Sequence, residues 1–319
     1  MKKIIKYDLN KDIRLDKYLT DQFPDISRTK IQKIINQGAV LVDDYIVKSS
    51  YKIKNNQIIS IKNFDLKEED FNVEPQNIKL DVIYEDDQIM VVNKESGMVV
   101  HPGIGNKDQT MLNGLLYHSS NLSNIPHRPG IIHRLDKETT GVIVFAKTDK
   151  AHYFISEQFA NRKIFKQYKA VVWGDLSNSV TIDKNLIRDR KNRLRFRVSE
   201  SKGKKSLSIC EPVKNDFIPI TEVDVYPKTG RTHQIRVHLS SIGHPILQDD
   251  LYNGGEKNVN SFHQKYKKNI SDIVKCIDRV ALHAYKIEFE HPTLKERVMF
   301  EAPLPYDISH IIKKINECK

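Results

Sequence analysis

The spacing of apolar residues follows two different periods along the chain. Near the N-terminus, Arg14-Leu15-Asp16-Lys17-Tyr18-Leu19 and Ser27-Arg28-Thr29-Lys30-Ile31-Gln32-Lys33-Ile34-Ile35 carry apolar positions at helical spacing, which predicts two short amphipathic helices. Ser27 suits the N-cap of the second helix, because its hydroxyl can accept a hydrogen bond from a first-turn N–H, and Gly38 suits its end. The period then falls to two. Val40-Leu41-Val42, an Asp43-Asp44 turn, Ile46-Val47 and Ile58-Ile59-Ser60-Ile61 predict short strands.

From residue 79 onward strands and turns dominate. Val82-Ile83-Tyr84 and Ile89-Met90-Val91-Val92 flank Glu85-Asp86-Asp87 as a hairpin would, and Val142-Ile143-Val144-Phe145-Ala146 reads as a strand buried on both faces. Residues 149–162 read as helix, and Tyr168 to Trp173 and Thr221 to Tyr226 as further strands. There is no regular strand–helix alternation, which argues against a doubly wound sheet. The expectation is an α+β fold with an extensive mixed, mainly antiparallel sheet. Residues 62–78 are acidic and aperiodic, as a linker would be, so the chain is expected to comprise a small α+β unit at 1–61, a linker at 62–78 and a large domain at 79–319.

Composition narrows the class. A length of 319 residues suits about two domains, and 39% hydrophobic with 29% charged residues is ordinary for a water-soluble protein. No apolar run approaches the roughly 18 residues that a membrane span needs, and MKKIIKYDLNKDIR lacks the apolar core of a signal peptide. No membrane association and a cytoplasmic location are therefore expected. Cys210, Cys276 and Cys318 are far apart, with no metal-type spacing, so they read as incidental thiols and no metal site is expected. A net charge of +11 fits a polyanionic partner, although lysine-rich surfaces also serve solubility alone.

The densest chemical signal is HRLDKETTGVIVFAK, residues 133–147, a charged turn leading into the strongest strand. Asp136 is flanked there by Arg134 and Lys137. An isolated aspartate in such a turn is as often a cap that organises neighbours such as Thr139 and Thr140. Two further runs change the balance: KQYKAVVWG at 166–174, whose Tyr168 follows Asp136 by 32 residues, and TGRTHQIRVHL at 229–239, which contains His233 and Arg236. With HRLD, and with Asn93-Lys94, His101-Pro102-Gly103, Gly243-His244-Pro245, Leu282-His283-Ala284 and His291-Pro292, they closely resemble the signature motifs of the RluA family of pseudouridine synthases across most of residues 80–305. Two departures stand outside those runs: Gln248 replaces a usual glycine before Asp249, and residues 293–296 lack one after His291-Pro292.

Residues 14–61 resemble the alpha-L RNA-binding module, also named after a small-subunit ribosomal protein. Twelve Lys/Arg stand against seven Asp/Glu within residues 1–61, and Arg14, Lys17, Arg28, Lys30 and Lys33 lie on or beside the two expected helices as a phosphate-facing surface.

The resemblance implies the pseudouridine synthase fold and isomerisation of uridine in structured RNA. Large-subunit ribosomal RNA is the first expectation for substrate, transfer RNA the second, and a catalytically silent RNA-binding or ribosome-assembly protein the alternative outside enzymology; no protein partner is expected. It implies Asp136 as nucleophile, Arg236 as its bidentate cationic partner, Tyr168 as the ring against the flipped base, and Arg134 as the cation entering the vacated RNA stack. Neither oxidation state nor composition changes, so no cofactor is expected. His133 and His233 read as structural or RNA-contacting. Residues 184–205 hold ten Lys/Arg and two Asp/Glu and are expected to form a loop that clamps RNA through Arg193, Arg195 and Arg197, with Arg231 a further contact. Residues 256–278 read as an insertion without an assigned role.

Overall fold

The computed structural model describes residues 3–8, 12–23, 26, 28–62, 73–103, 105–125, 128–213 and 219–318. The chain divides into two compact units, residues 1–72 and 73–319. Ser27 and residues 63–72 of the expected linker lie outside the described residues. Residues 73–78, also read as linker, pack with the second unit: the Asn113 side-chain amide donates to the Glu74 carbonyl, and Val73 and Ile78 join its apolar core.

The first unit contains β1 (Lys3–Lys6), β2 (Ile13–Arg14), α1 (Leu15–Gln22), α2 (Arg28–Asn36), β3 (Val40–Val42), β4 (Tyr45–Ile46), β5 (Lys52–Ile53) and β6 (Ile58–Ile61). Four strands form a sheet in the order β1-β6-β3-β4, and β2 pairs β5. Asp43 and Asp44 join β3 to β4 with φ of 49° and 65°, the left-handed pair that a two-residue hairpin needs. Gly38, at φ 75°, ends α2 and donates its N–H to the Ile35 carbonyl. Leu15, Leu19, Ile31 and Ile35 from the helices bury against Val40, Ile53 and Ile59 from the strands, each burial worth roughly 1.5–3 kcal/mol.

The second unit runs β7 (Asp81–Glu85), β8 (Ile89–Lys94), α3 (Met111–His118), β9 (Thr140–Ala146), α4 (Asp149–Ala160), β10 (Phe165–Trp173), β11 (Val180–Arg188), β12 (Phe196–Ser199), β13 (Lys204–Val213), β14 (Ile220–Pro227), α5 (Gln234–Ser241), α6 (Gln264–Val274), β15 (Leu282–Glu290), β16 (Arg297–Glu301) and α7 (Tyr306–Glu317). Its strands form one ten-stranded mixed sheet in the order β12-β11-β13-β14-β10-β15-β9-β8-β7, with β16 beside the far end of β15. Among the described residues the pairings are antiparallel except β9 with β15, which is parallel.

Two apolar cores flank that parallel junction. One joins β10, β13 and β14 to α5, α6 and α7; the other joins β8 and β9 to α3 and α4. Tyr168 on β10 packs against both, which puts it at the seam. Gly141 makes the seam close enough: its φ is 112°, and a Cβ there would fall on the Ala284 carbonyl oxygen of β15.

One expectation is corrected. Residues 184–205 are not a loop: β11, β12 and the start of β13 pair as a strand arm whose turn spans residues 189–195. Residues 256–278, read as an insertion without an assigned role, pack into the second unit. Ile270, Ile273, Val274 and Ile277 enter the core, and the Phe262 ring stacks on Trp173 with centroids 5.7 Å apart. Gln248, at φ 60°, holds the left-handed turn where the family resemblance leads one to expect glycine. Its side-chain amide donates to the Ile277 and Val274 carbonyls at 2.8 and 3.3 Å, contacts that glycine would lack. In the turn after His291-Pro292, Lys295 takes the left-handed conformation at φ 59°.

Candidate active site

Asp136 lies in a tight turn before β9, closed by a hydrogen bond from the Thr139 N–H to the Asp136 carbonyl at 3.2 Å. The turn is clamped from behind. Lys94, fully buried, donates its ammonium to the carbonyls of Lys137, Glu95 and Met98 at 2.9, 2.7 and 3.0 Å, three acceptors for three donors. The Gly97 N–H also reaches the Lys137 carbonyl, while Ser96 and Arg279 donate to the Glu138 carbonyl. Burial lowers the Lys94 pKa to about 7, against the pull of the Asp136 charge. Leu135, buried, anchors the turn from inside.

Arg236 comes from α5. That helix starts at His233, whose φ of 54° bends the chain sharply out of the turn following β14. Gln234 fixes the turn: its side-chain oxygen accepts from the Thr229 hydroxyl and the Arg231 N–H at 2.6 and 3.0 Å, while its amide donates to the Leu207 carbonyl and Ser208 hydroxyl. The guanidinium of Arg236 then faces two carboxylates. Its Nε and one terminal nitrogen donate to Asp249 at 2.7 and 2.8 Å, and its other terminal nitrogen reaches Asp136 Oδ2 at 3.4 Å. This corrects the expected bidentate contact: the two-pronged pairing belongs to Asp249, which is 0% exposed, and Asp136 receives a single, longer one. Burial lowers the Arg236 pKa, but the Asp249 hydrogen bonds together with the charges of Asp249 and Asp136 outweigh it and the net shift is upward, so the cation is fixed.

Sequence reading does not single out Asp249 and Tyr252, which the structure brings against Arg236. Both sit in a loop that sequence reading treated only as a departure from pattern. Tyr252, buried, places its ring beneath the Arg236 guanidinium at 5.1 Å, and its hydroxyl meets His233 Nδ1 at 2.8 Å. The same hydroxyl accepts the Phe196 N–H at 2.9 Å, which ties the strand arm to the site. His233 Nε2 lies 3.9 Å from Asp136 Oδ2, and burial pushes its pKa down, favouring the neutral ring.

Asp136, Tyr168, His233 and Arg236 line one pocket of about 110 Å³, together with Arg134, Thr139, Lys166 and Arg231. The Tyr168 pKa is driven up, first by burial and then by the Asp136 charge, so its ring faces the pocket as a neutral phenol. Arg134 is exposed at the rim. His133 is placed differently from an RNA contact: its Nε2 accepts the Val144 N–H at 3.0 Å and its ring lies 4.9 Å from that of Phe159, so it ties the turn to β9. Burial keeps it uncharged, lowering its pKa to about 3. In the arm Arg193 and Arg197 are exposed, and Arg195 lies over the Tyr252 ring at 5.5 Å. In the first unit, Arg14 and Arg28 both turn onto the buried Asp16, whereas Lys17 and Lys33 are exposed and Lys30 is half-buried. Among the described residues no group of His, Cys, Asp and Glu could hold a metal, and no helix is long and apolar enough to cross a membrane.

Comparison with known proteins agrees with this geometry. The family described as RNA pseudouridylate synthase matches residues 88–241, and the S4 domain matches residues 13–59. An uncharacterized RNA pseudouridine synthase from Chlorobaculum parvum is 40% identical over 311 residues, covering 95% of this chain and 94% of the relative. A ribosomal large subunit pseudouridine synthase D from Neisseria meningitidis is 37% identical, covering 94% and 78%. An uncharacterized RNA pseudouridine synthase from Bacillus subtilis is 37% identical, covering 96% and 95%. The solved structure of human RNA pseudouridylate synthase domain containing 1 superposes with a TM-score of 0.56 at 25% identity, covering 75% of this chain and 90% of that one. With a clamped aspartate facing an arginine and a half-buried tyrosine across one pocket, and with relatives matching over nearly its full length, the chain belongs to the RNA pseudouridine synthases, isomerases of the RluA type, and carries an S4 domain at its N-terminus.

Proposed function

We propose that Asp136 is the nucleophile of this isomerase, that Arg236 orients it and Tyr168 packs on the flipped uracil, and that the substrate is large-subunit ribosomal RNA in the cytoplasm, ahead of transfer RNA. The observation that carries the site assignment is the divided guanidinium. Asp249 takes two of its donors and holds it rigid, and a third is aimed at Asp136. Asp136 is thereby positioned without being saturated, and a carboxylate oxygen stays free to form a bond.

The reaction breaks the N1–C1′ bond, forms a C5–C1′ bond, and exchanges the C5 proton for one on N1. Attack by Asp136 at C1′ holds the sugar covalently while the base turns; attack at C6 holds the base. Both routes need one free carboxylate oxygen, a fixed cation beside it and a closed surface against the ring. Tyr168 supplies that surface at the seam of the two cores. Its raised pKa suits stacking and a neutral hydroxyl, not a phenolate base. Arg134, exposed at the rim, fills the stack that the flipped nucleotide leaves, which offsets part of the few kcal/mol that extrusion costs. Support for the ribosomal substrate comes from relatives named ribosomal large subunit pseudouridine synthase D at 35–38% identity.

Mapping pseudouridines in total RNA from cells lacking the gene, complemented with wild type or Asp136→Ala, tests the proposal. A site in large-subunit ribosomal RNA should be lost and should return only with the wild type. Full rescue by the alanine variant sinks the nucleophile assignment, and a lost site confined to transfer RNA sinks the substrate assignment.

A further inference from the structure

Beside the base pocket lies a second pocket of about 310 Å³, lined by Phe159, Arg162, Lys166, Lys228, Arg231, Thr229 and Gly230, together with Ala160 and Ile164. Four of its lining side chains are cationic and none is acidic. Among the described residues none of the four has an ion-pair partner: Lys166 Nζ reaches only the Thr229 carbonyl, at 3.4 Å, and Arg231 Nε the Lys205 carbonyl, at 3.2 Å. Arg162 ends α4 in a left-handed conformation, φ 57°, and Lys228 opens the turn after β14, so two separate elements converge on one space. Charges of one sign gathered without counterions raise the free energy of the empty pocket and lower it when an anion enters.

The position identifies the anion. Lys166, Thr229, Gly230 and Arg231 line both pockets. A group bound in the second pocket is therefore a direct neighbour of the base in the first, within reach of one nucleotide's backbone. We propose that this pocket binds the phosphodiester next to the flipped uridine, with Arg162 and Lys228 as the outer cations and Lys166 as the inner one, and with the Phe159 ring as an apolar wall. This rests on RNA being the substrate. Lys166 is suited to the role: burial, and then the charge of Lys228, lower its pKa to about 8, and an entering phosphate restores the missing counter-charge. Its ammonium also sits 5.8 Å from the Phe159 ring centre. An anchored phosphate on this side fixes the rotation of the extruded nucleotide about its own backbone, which the base pocket alone does not do.

The test uses the full chain and radiolabelled total RNA from cells lacking the gene. Filter retention of that RNA is measured from 50 to 300 mM KCl for wild type and for the double variant Arg162→Ala/Lys228→Ala. The control is Lys265→Ala/Lys268→Ala, which removes equal charge from exposed positions on α6. The expected result is about tenfold weaker retention by the pocket variant at 100 mM salt, and a log–log salt slope shallower by about 0.7 for the one phosphate released. The control should stay within about threefold of wild type, and Arg162→Lys/Lys228→Arg should restore retention, because charge and not shape is at issue. Unchanged retention and slope in the pocket variant, or an equal loss in the control, overturns the proposal. Release of tritium from [5-³H]uridine in the same RNA reads isomerisation separately: its absence from wild type while retention responds as expected would count against the activity reading alone.

Discussion

The tetrapeptide Arg-Leu-Asp-Lys occurs twice in this chain, at 14–17 in the first unit and at 134–137 in the second, and the two copies have opposite fates. In both, the leucine is buried and anchors the segment. In the first copy, Arg14 folds back on its own aspartate through two contacts of 2.9 Å, Arg28 adds two more at 3.0 and 3.2 Å, and Gln32 donates at 2.6 Å. Asp16 is saturated and its side chain is 0% exposed. In the second copy, Arg134 points to the pocket rim, and Asp136 receives one contact of 3.4 Å from a distant helix and keeps 20% of its side chain exposed. A carboxylate whose lone pairs are all occupied holds structure together. One that is oriented but under-coordinated retains the electrons to attack. The same four residues yield either outcome, because their surroundings supply five donors in one case and one in the other.

The comparison breaks most sharply at the second copy. Asp136→Ala should reduce the single-turnover rate of pseudouridine formation by at least ~10⁴-fold, while RNA retention stays within about threefold. Any residual rate near wild type removes the distinction between the two aspartates. Next comes Asp249→Asn, which weakens the grip on Arg236 without touching the proposed nucleophile. The rate at saturating RNA should drop about 100-fold, the scale of a small misplacement at a reacting centre, with little change in affinity. A loss seen in affinity alone would assign Asp249 to RNA binding instead. Lys94→Met leaves three carbonyls behind the Asp136 turn without their ammonium. Chemical denaturation should show a loss of about 3 kcal/mol, together with a slower reaction, since the turn and Asp136 move as one. Asp16→Ala should have the mildest outcome, about 2 kcal/mol, because Arg14 and Arg28 keep nearly half their surface in water. Hydrogen exchange should quicken across residues 14–61 and stay unchanged across 79–319.

Acid should reproduce the last variant. The Arg14 hydrogen bonds, opposed by burial and aided by Gln32 and Arg28, hold Asp16 well below the usual carboxylate range. A depressed folded-state pKa gives stability that is fully present above the unfolded value, about 3.9, and is lost as pH falls through the folded one. Exchange protection in residues 14–61 should therefore decline below about pH 4 in wild type, and decline less in Asp16→Ala.

Local sequence carried much of this. The two helices of the first unit, the β7–β8 hairpin and the buried strand β9 follow from apolar period alone, and the turn HRLDKETTG announces itself by its charge and its glycine. What separates the two Arg-Leu-Asp-Lys copies is partly local as well: Tyr18-Leu19 continues a helical stripe after the first, whereas Glu138-Thr139-Thr140-Gly141 turns the chain after the second. The missing part is pairing over distance. Arg236 could be assigned to Asp136 by resemblance, but nothing in the composition around Asp249 said that it would take two of the three donors that Arg236 directs at carboxylates. Nor could the pattern of residues 256–278 reveal a core helix, because its lysines and asparagines mask the spacing of Ile270, Ile273 and Val274. Tyr252 joins the arm, His233 and Arg236 through one hydroxyl and one ring, a convergence of three elements that sequence order scatters over 57 positions, from 196 to 252.

Gly141 gives the close approach of β9 and β15 a genetic meaning. A saturating mutant library at position 141 should return glycine and nothing else, since even alanine meets a main-chain carbonyl that cannot swing aside. Position 248, equally left-handed in its backbone, should accept several residues. The clones missing at 141 would be missing as protein, not as activity, so immunoblots would find them absent where Asp136 variants are abundant and idle.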